Sequence, residues 1–300
     1  SIAKRVREVV EREPYDIVFV QREAAIIGPA IFEELLRHPR KIPLVYDFDD
    51  AVWLDDTKNS KHPLLARMLK VPSKTEGLVK HASLVLAGSE RLASYAREHN
   101  RNVHVFPSVV SRETWRPLPG RLEGKFASQD GPPVIGWIGT HSTAPQLSLV
   151  APALARLRRE GLRFRVVIRG ADRSLQLPGV EFESLPWRST HEIEDFQNID
   201  IGLAPMFSDP WSEGKCGFKQ LQYMAVGVPF VSSLVGGARD FLRHGENALV
   251  TPRYAGGRYQ WDLSPEQICE IDMGGNLLAG AGQTSRELGM HLAVYRHLPK

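Results

Sequence analysis

Cysteine is scarce: Cys216 and Cys269 are the only two in 300 residues. Two thiols make no disulfide framework, and neither has the spacing of a metal-ligand motif, so a reducing, cytoplasmic compartment is expected. No apolar run approaches the ~18 residues of a membrane-spanning helix. No signal peptide opens the sequence, and a soluble protein is expected. Gly-x-Gly-x-x-Gly, Walker, zinc-protease and Cys-x-x-Cys motifs are all missing, which leaves a dehydrogenase or an NTPase without positive support. Charge of one sign is also scarce. The net charge is +3, and no nucleic-acid partner is expected.

What charge there is lies unevenly. Residues 1–125 hold 21 Lys and Arg against 17 Asp and Glu, while the remainder holds 17 against 18. Within the first part, Lys58, Lys61, Arg67, Lys70, Lys74 and Lys80 face Glu76 alone. This basic stretch over 58–80 reads either as a solvated helix face or as a peripheral contact with an anionic membrane surface. Pro72 interrupts its amphipathic pattern.

Hydrophobic residues make up 42% of the chain, enough for two cores. Short apolar runs at 15–20, 42–46, 83–87 and 103–106 read as buried strands. Helices are expected over 1–13, after Glu23 with a break at Gly28-Pro29, and from Glu90. Residues 117–133 are rich in proline and glycine and read as a linker. A second series follows: strands at 134–138, 164–168, 180–185, 199–204 and 228–232, with helices at 146–160, near 192–197 and up to Gly227. Strands that are nearly continuous apolar runs alternating with helices predict parallel sheets covered on both faces. The expected domains are 1–125 and 126–284, with 285–300 as a crossover helix.

The stretch from Glu213 to Ser233 organises the second half. Gly214 and Gly217 free the backbone, a helix runs to Gly227, and a short strand follows. On one continuous helix, Lys215, Lys219 and Gln222 share a stripe, beside an apolar stripe of Phe218, Leu221 and Ala225. Two lysines at a helix N-terminus suit a phosphate or diphosphate. Two solvated surface lysines are the plainer alternative.

Together with Leu234-Val-Gly-Gly237 and Gly245-Glu-Asn-Ala-Leu-Val250, this stretch resembles the donor-site signature of retaining glycosyltransferases of family four, which have the GT-B fold. The resemblance implies an α/β protein with two Rossmann-like parallel-sheet domains facing a cleft. The strand and Gly-rich loop that usually open the first domain are not found at the start of this chain. It also implies transfer of a sugar, with retention and without a metal or other cofactor, from a nucleotide diphosphate sugar to an acceptor, lipid-linked or polysaccharide. Location would be cytoplasmic, peripheral to the inner membrane face if the basic stretch makes its contact. Members carry two glutamates separated by seven residues. Here the second position falls on Gln222 and the first on Gly214, with Glu213 adjacent. Lys215, Lys219, Asp49 and Glu213 are the implied catalytic residues, and Gly139, Thr140, Trp187, Gly214, Cys216, Gly217, Phe218 and Gln222 the implied donor-binding ones.

Each of these has a plainer reading beside it. Asp47-Phe-Asp49-Asp50 ends a strand and reads as an acceptor-side group, a metal-binding Asp-x-Asp or a solvated turn. Gly139 and Thr140 sit in a strand-to-helix turn where Ser142 or Thr143 would cap, and His141 is equally a surface residue. Trp187 offers a flat face for a base or simply packs. The altered glutamate pair keeps open an alternative function, a catalytically weak or inactive sugar-nucleotide-binding protein.

Overall fold

The computed structural model describes residues 16–22, 42–54, 73–121, 131–171, 174–243, 247, 249–251, 270–271 and 277–279. The helix expected over 1–13, the Gly28-Pro29 break, most of the basic stretch, the centre of the linker, Cys269 and the 285–300 tail lie outside them. The chain divides into two compact units. The first comprises Ser1–Ser108, Ser208–Gly217 and Val235–Asp240; the second comprises Val109–Phe207, Phe218–Leu234 and Phe241–Lys300.

The first unit is built on a four-stranded sheet in the order β1 (Val18–Gln21), β2 (Leu44–Phe48), β3 (Leu84–Ala87), β4 (Val103–Val105), parallel throughout. Leu44, Tyr46, Phe48, Val85 and Ala87 are buried against Leu78 and Val79 of helix α1 (Ser73–His81) and Leu92, Ala93 and Ala96 of α2 (Glu90–Arg97). Ser89 starts α2 by accepting a hydrogen bond from the Leu92 N–H, as an N-cap serine should. Edge strand β1 alternates instead of being buried throughout: Val18 and Val20 face the core, whereas Phe19 is 59% exposed. Lys74, counted above in the basic stretch, is buried and so adds no charge to a surface.

The second unit carries six parallel strands in the order β10 (Leu249–Thr251), β9 (Phe230–Ser233), β8 (Ile201–Ala204), β5 (Val134–Ile138), β6 (Arg165–Arg169), β7 (Glu183–Leu185). A separate antiparallel pair, Glu270–Ile271 with Leu277–Ala279, falls in the stretch the resemblance does not reach. The helix expected over 146–160 is two elements, a 3-10 segment Ala144–Leu149 and α3 (Ala151–Arg159). Pro152 explains the break, because its ring cannot continue an α-helical ladder through the preceding turn. α4 (Glu192–Gln197) follows β7, and α5 (Phe218–Ala225) lies between β8 and β9.

Residues 109–121 are tied to this second unit by buried chemistry. Arg121 and Asp200 form an ion pair at 3.3 Å with both side chains almost fully buried. The Arg121 guanidinium also donates to the Gln197 carbonyl at 2.7 Å, and the second Asp200 oxygen accepts from the Val134 N–H at 2.8 Å. Trp115 packs edge-on to Phe196, 5.4 Å between ring centroids.

Packing of α5 reverses the expected stripe. Gln220, Gln222 and Tyr223 are buried, while Phe218 and Met224 are exposed. The cause lies in the strands beneath. Gly202 on β8 has no side chain, and a Cβ there would stand 2.6 Å from the Tyr223 ring. The ring fills that groove, and its hydroxyl donates toward the Gly136 and Leu203 carbonyls at 3.1 and 3.3 Å. Gln220 donates to Ser232 Oγ at 3.0 Å, so its buried amide is satisfied.

Candidate functional site

Helix α5 begins at Phe218, after Gly217 at φ +77°. Lys215 is therefore not on the helix with Lys219 and Gln222. It follows a 3-10 turn (Ser212–Gly214) in extended conformation, φ −78° and ψ 139°. The division into units also falls between Gly217 and Phe218, so the two lysines have separate surroundings.

In the first unit, Lys215 Nζ pairs with Asp50 at 2.7 Å and lies 4.8 Å from the Trp211 ring centroid. Arg22 joins the same acidic turn, donating to Asp49 at 2.6 Å and to Asp50 at 2.5 Å. Arg22 holds a left-handed backbone, φ 58°, which few non-glycine residues adopt. Its side-chain hydrogen bond to Asp49 outweighs partial desolvation and raises the guanidinium pKa further. The cations facing Asp49 and Asp50 are thus arginine and lysine side chains, and Asp49 is the more exposed carboxylate of the two. Among the described residues, no group of three or more His, Cys, Asp or Glu could hold a metal ion.

Glu213 is clamped by the Arg239 guanidinium at both oxygens and also accepts from the Gly236 N–H at 3.2 Å. Gly214 faces Ala51 so closely that a Cβ would stand 2.2 Å from the Ala51 Cβ. Cys216 donates to the Asp49 carbonyl at 3.0 Å. Burial pushes its thiol up to about 12, so it stays protonated. These residues form a tightly bonded loop on the carboxyl end of β2.

In the second unit, a ring of contacts stands at the carboxyl ends of β5, β6 and β7. Lys219 Nζ lies 4.3 Å from the Trp137 ring centroid, a cation–π distance. A Cβ on Gly139 would come within 3.1 Å of that nitrogen and 2.4 Å of the Trp137 ring. Gly170, at φ +80°, lies against Gly139: its Cβ would meet the Gly139 carbonyl oxygen at 2.1 Å and the Trp187 Cβ at 3.2 Å. Trp187 is 47% exposed. Past the 3-10 turn Ser189–His191, Glu192 accepts from Gln222 Nε2 at 3.2 Å. Lys219 and Gln222 are three residues apart on α5.

Desolvation lowers the Lys219 pKa from 10.5 to about 7. Lys219 keeps part of its surface, and the ammonium is the deep end of the side chain. A nearby second carboxylate, Asp195, pairs with Arg169 at 3.1 Å, and desolvation raises its pKa despite that partner.

Thr140 belongs to the turn after β5, and Thr143 bonds back to Thr140 instead of capping the helix that follows. His141 is exposed and, with Pro145, Leu175, Leu177 and Phe207, lines a separate pocket of about 460 Å³. Phe218, the first residue of α5, is 44% exposed. Of the residues singled out in the sequence, Gly139, Lys219, Gln222 and Trp187 meet in one ring, with Thr140 next to it. Asp49, Lys215 and Cys216 meet around the β2 end, with Glu213 and Gly214 in the same loop. Gly170, Glu192, Arg22 and Arg239 carry no motif that would have revealed their parts.

In fold, the chain resembles GT-B glycosyltransferases. HepE from Anabaena, in complex with UDP and glucose, matches at TM-score 0.58 and 18% identity over 82% of this chain and 67% of that one. Sucrose-phosphate synthase from Thermosynechococcus elongatus matches at TM-score 0.55 and 14% identity, covering 79% and 61%. The catalytic domain of starch synthase IV from Arabidopsis thaliana, bound to ADP and acarbose, matches at 0.53 and 14%, covering 81% and 62%. This structural likeness shows the GT-B architecture of two Rossmann-like parallel-sheet units.

Residues 132–256 match the family model described as glycosyl transferases group 1. That span holds the whole Lys219 ring. No curated protein sequence matches the chain. The family match and the shared fold support a glycosyltransferase of group 1.

Proposed function

We propose that the protein transfers a sugar from a nucleotide diphosphate sugar to an acceptor, with retention of configuration and without a metal. The Lys219 ring carries this reading: a poorly solvated ammonium over Trp137 and against Gly139, with the exposed Trp187 face and the Gln222–Glu192 pair at neighbouring positions, at the carboxyl ends of parallel strands where such sheets bind nucleotides. As the bond to the sugar breaks, negative charge accumulates on the departing diphosphate. Lys219 meets that charge in a poorly solvated site, where it stabilises the transition state more than the intact donor. Gly139 keeps a side chain away from the ammonium, Gly170 keeps one away from the Gly139 carbonyl, and Trp187 offers its face to the base. Asp49, oriented by Arg22, is assigned to the acceptor side. Lys215 and Glu213 would have to exchange Asp50 and Arg239 for substrate, so we assign them to holding the loop that leads into α5.

Calorimetry with UDP-, ADP- and GDP-glucose, followed by assays of transfer and hydrolysis, tests this. Binding of one nucleotide sugar with turnover is expected, and Lys219→Ala should lower turnover by roughly 10²-fold or more. Unchanged turnover in that variant would remove the mechanism. A second reading, a nucleotide-sugar-binding protein without transferase activity, is favoured by the clamp of Arg239 on Glu213; binding with no turnover would establish it. A cytoplasmic location with peripheral membrane contact through 58–80 goes with the first reading, and vesicle binding that is indifferent to anionic lipid would eliminate the contact.

A further inference from the structure

We infer that Glu192 is the residue that selects a ribose, accepting hydrogen bonds from the sugar's vicinal hydroxyls while Gln222 holds the carboxylate in place. This rests on the nucleotide-sugar reading above. The residues follow one another along the carboxyl ends of β5, β6 and β7. Trp187 stands at one side, with its Cβ against Gly170. Lys219 Nζ stands across Gly139 from it. Glu192 lies five residues past Trp187 and touches Gln222, which is less than one helical turn beyond Lys219. A ligand with its base on the Trp187 face and its diphosphate at Lys219 therefore sets the piece that joins them, the pentose, beside Glu192.

The chemistry of that position fits a diol. A vicinal diol presents two O–H donors, and a carboxylate is an acceptor-only group with two oxygens. Among the described residues, Gln222 Nε2 engages Glu192 at Oε1 alone. Gln222 is 5% exposed, so the carboxylate's support is fixed by burial, while Glu192 itself is only half-buried and can still meet a ligand. Bonds of hydroxyl to carboxylate are charge-assisted and stronger than amide-to-hydroxyl ones. The amide of Gln222 thus orients the group that binds instead of binding in its place. Gln222→Glu would set two carboxylates against each other, so it should weaken ribonucleotide binding.

The test compares UDP, ADP and GDP with their 2′,3′-dideoxy counterparts by calorimetry on the full chain. The wild type should prefer the ribo form of the base it accepts by about ten- to a hundredfold. Glu192→Ala and the shape-preserving Glu192→Gln should lose most of that preference and leave dideoxy affinity unchanged. Equal loss for both forms in both variants would mean a structural tie only and would overturn the inference, as would a wild type indifferent to the hydroxyls. If no nucleoside diphosphate binds the wild type at all, the transferase reading itself falls.

Discussion

Replacing Lys219 with methionine separates what this residue costs the fold from what it does for the ligand. The folded pKa of about 7 lies below the ordinary 10.5 because burial disfavours the ammonium. At pH 7 the shift corresponds to an upper bound of about 4 kcal/mol of lost stability. The Trp137 face returns about 1–2 kcal/mol of that through cation–π attraction. Methionine has a similar length and packs well against aromatic rings. Lys219→Met should therefore be more stable than wild type by at most about 2–3 kcal/mol, or on the order of 5–10 °C in melting temperature, measured without nucleotide. The sign follows from proton counting. Between pH 7 and 10.5 the unfolded chain binds more protons at this site than the folded one, so wild-type stability rises with pH across that window. The variant's advantage should shrink over the same range. Its affinity for a nucleoside diphosphate should nevertheless fall at least tenfold, since a charge-assisted contact is lost. Calorimetric melts from pH 6 to 10 decide the matter: a variant that melts at or below wild type throughout would refute the buried-ammonium account.

Three other perturbations have defined outcomes. Trp187→Ala should weaken nucleotide binding by about 1–3 kcal/mol, the usual worth of a base stacked on an aromatic ring, and should reduce the tryptophan quenching seen on nucleotide addition; affinity within twofold of wild type would remove the stacking assignment. Arg121→Ala removes a buried cation from Asp200 and should cost about 3–5 kcal/mol in urea unfolding, whereas a loss under 1 kcal/mol would show the pair to be dispensable. Gly170→Ala combines a left-handed backbone with a Cβ placed 2.1 Å from the Gly139 carbonyl. It should displace the turn after β5 and abolish nucleotide binding while the far-UV spectrum is kept, and wild-type affinity in this variant would argue against the ring as the site.

Much of the architecture could be read from pattern. Strand Val134–Ile138 and helix Glu192–Gln197 fall where apolar runs and polar helical composition put them. The central helix shows the limit of such reading. Its apolar stripe of Phe218, Leu221 and Ala225 looked like the buried face, yet Gln220, Gln222 and Tyr223 go inside. Nothing local to the helix reveals this, because the groove that receives Tyr223 is opened by Gly202, 21 residues earlier in the chain, and its hydroxyl finds the carbonyl of Gly136, 87 residues earlier.

The sequence by itself determined the alternation of strand and helix and the parallel sheets, because periodicity is a local property, and the family resemblance it carries pointed to four members of the ring, Gly139, Trp187, Lys219 and Gln222. Tertiary structure alone decided that Lys215 leaves the stripe for Asp50 and that Glu192 joins Gln222. It also decided that Arg239 clamps Glu213 and that the Lys219 ammonium is buried over Trp137. These are contacts between charged or polar groups far apart in sequence, and their strength depends on how much water the fold removes around them, which no spacing of residues encodes.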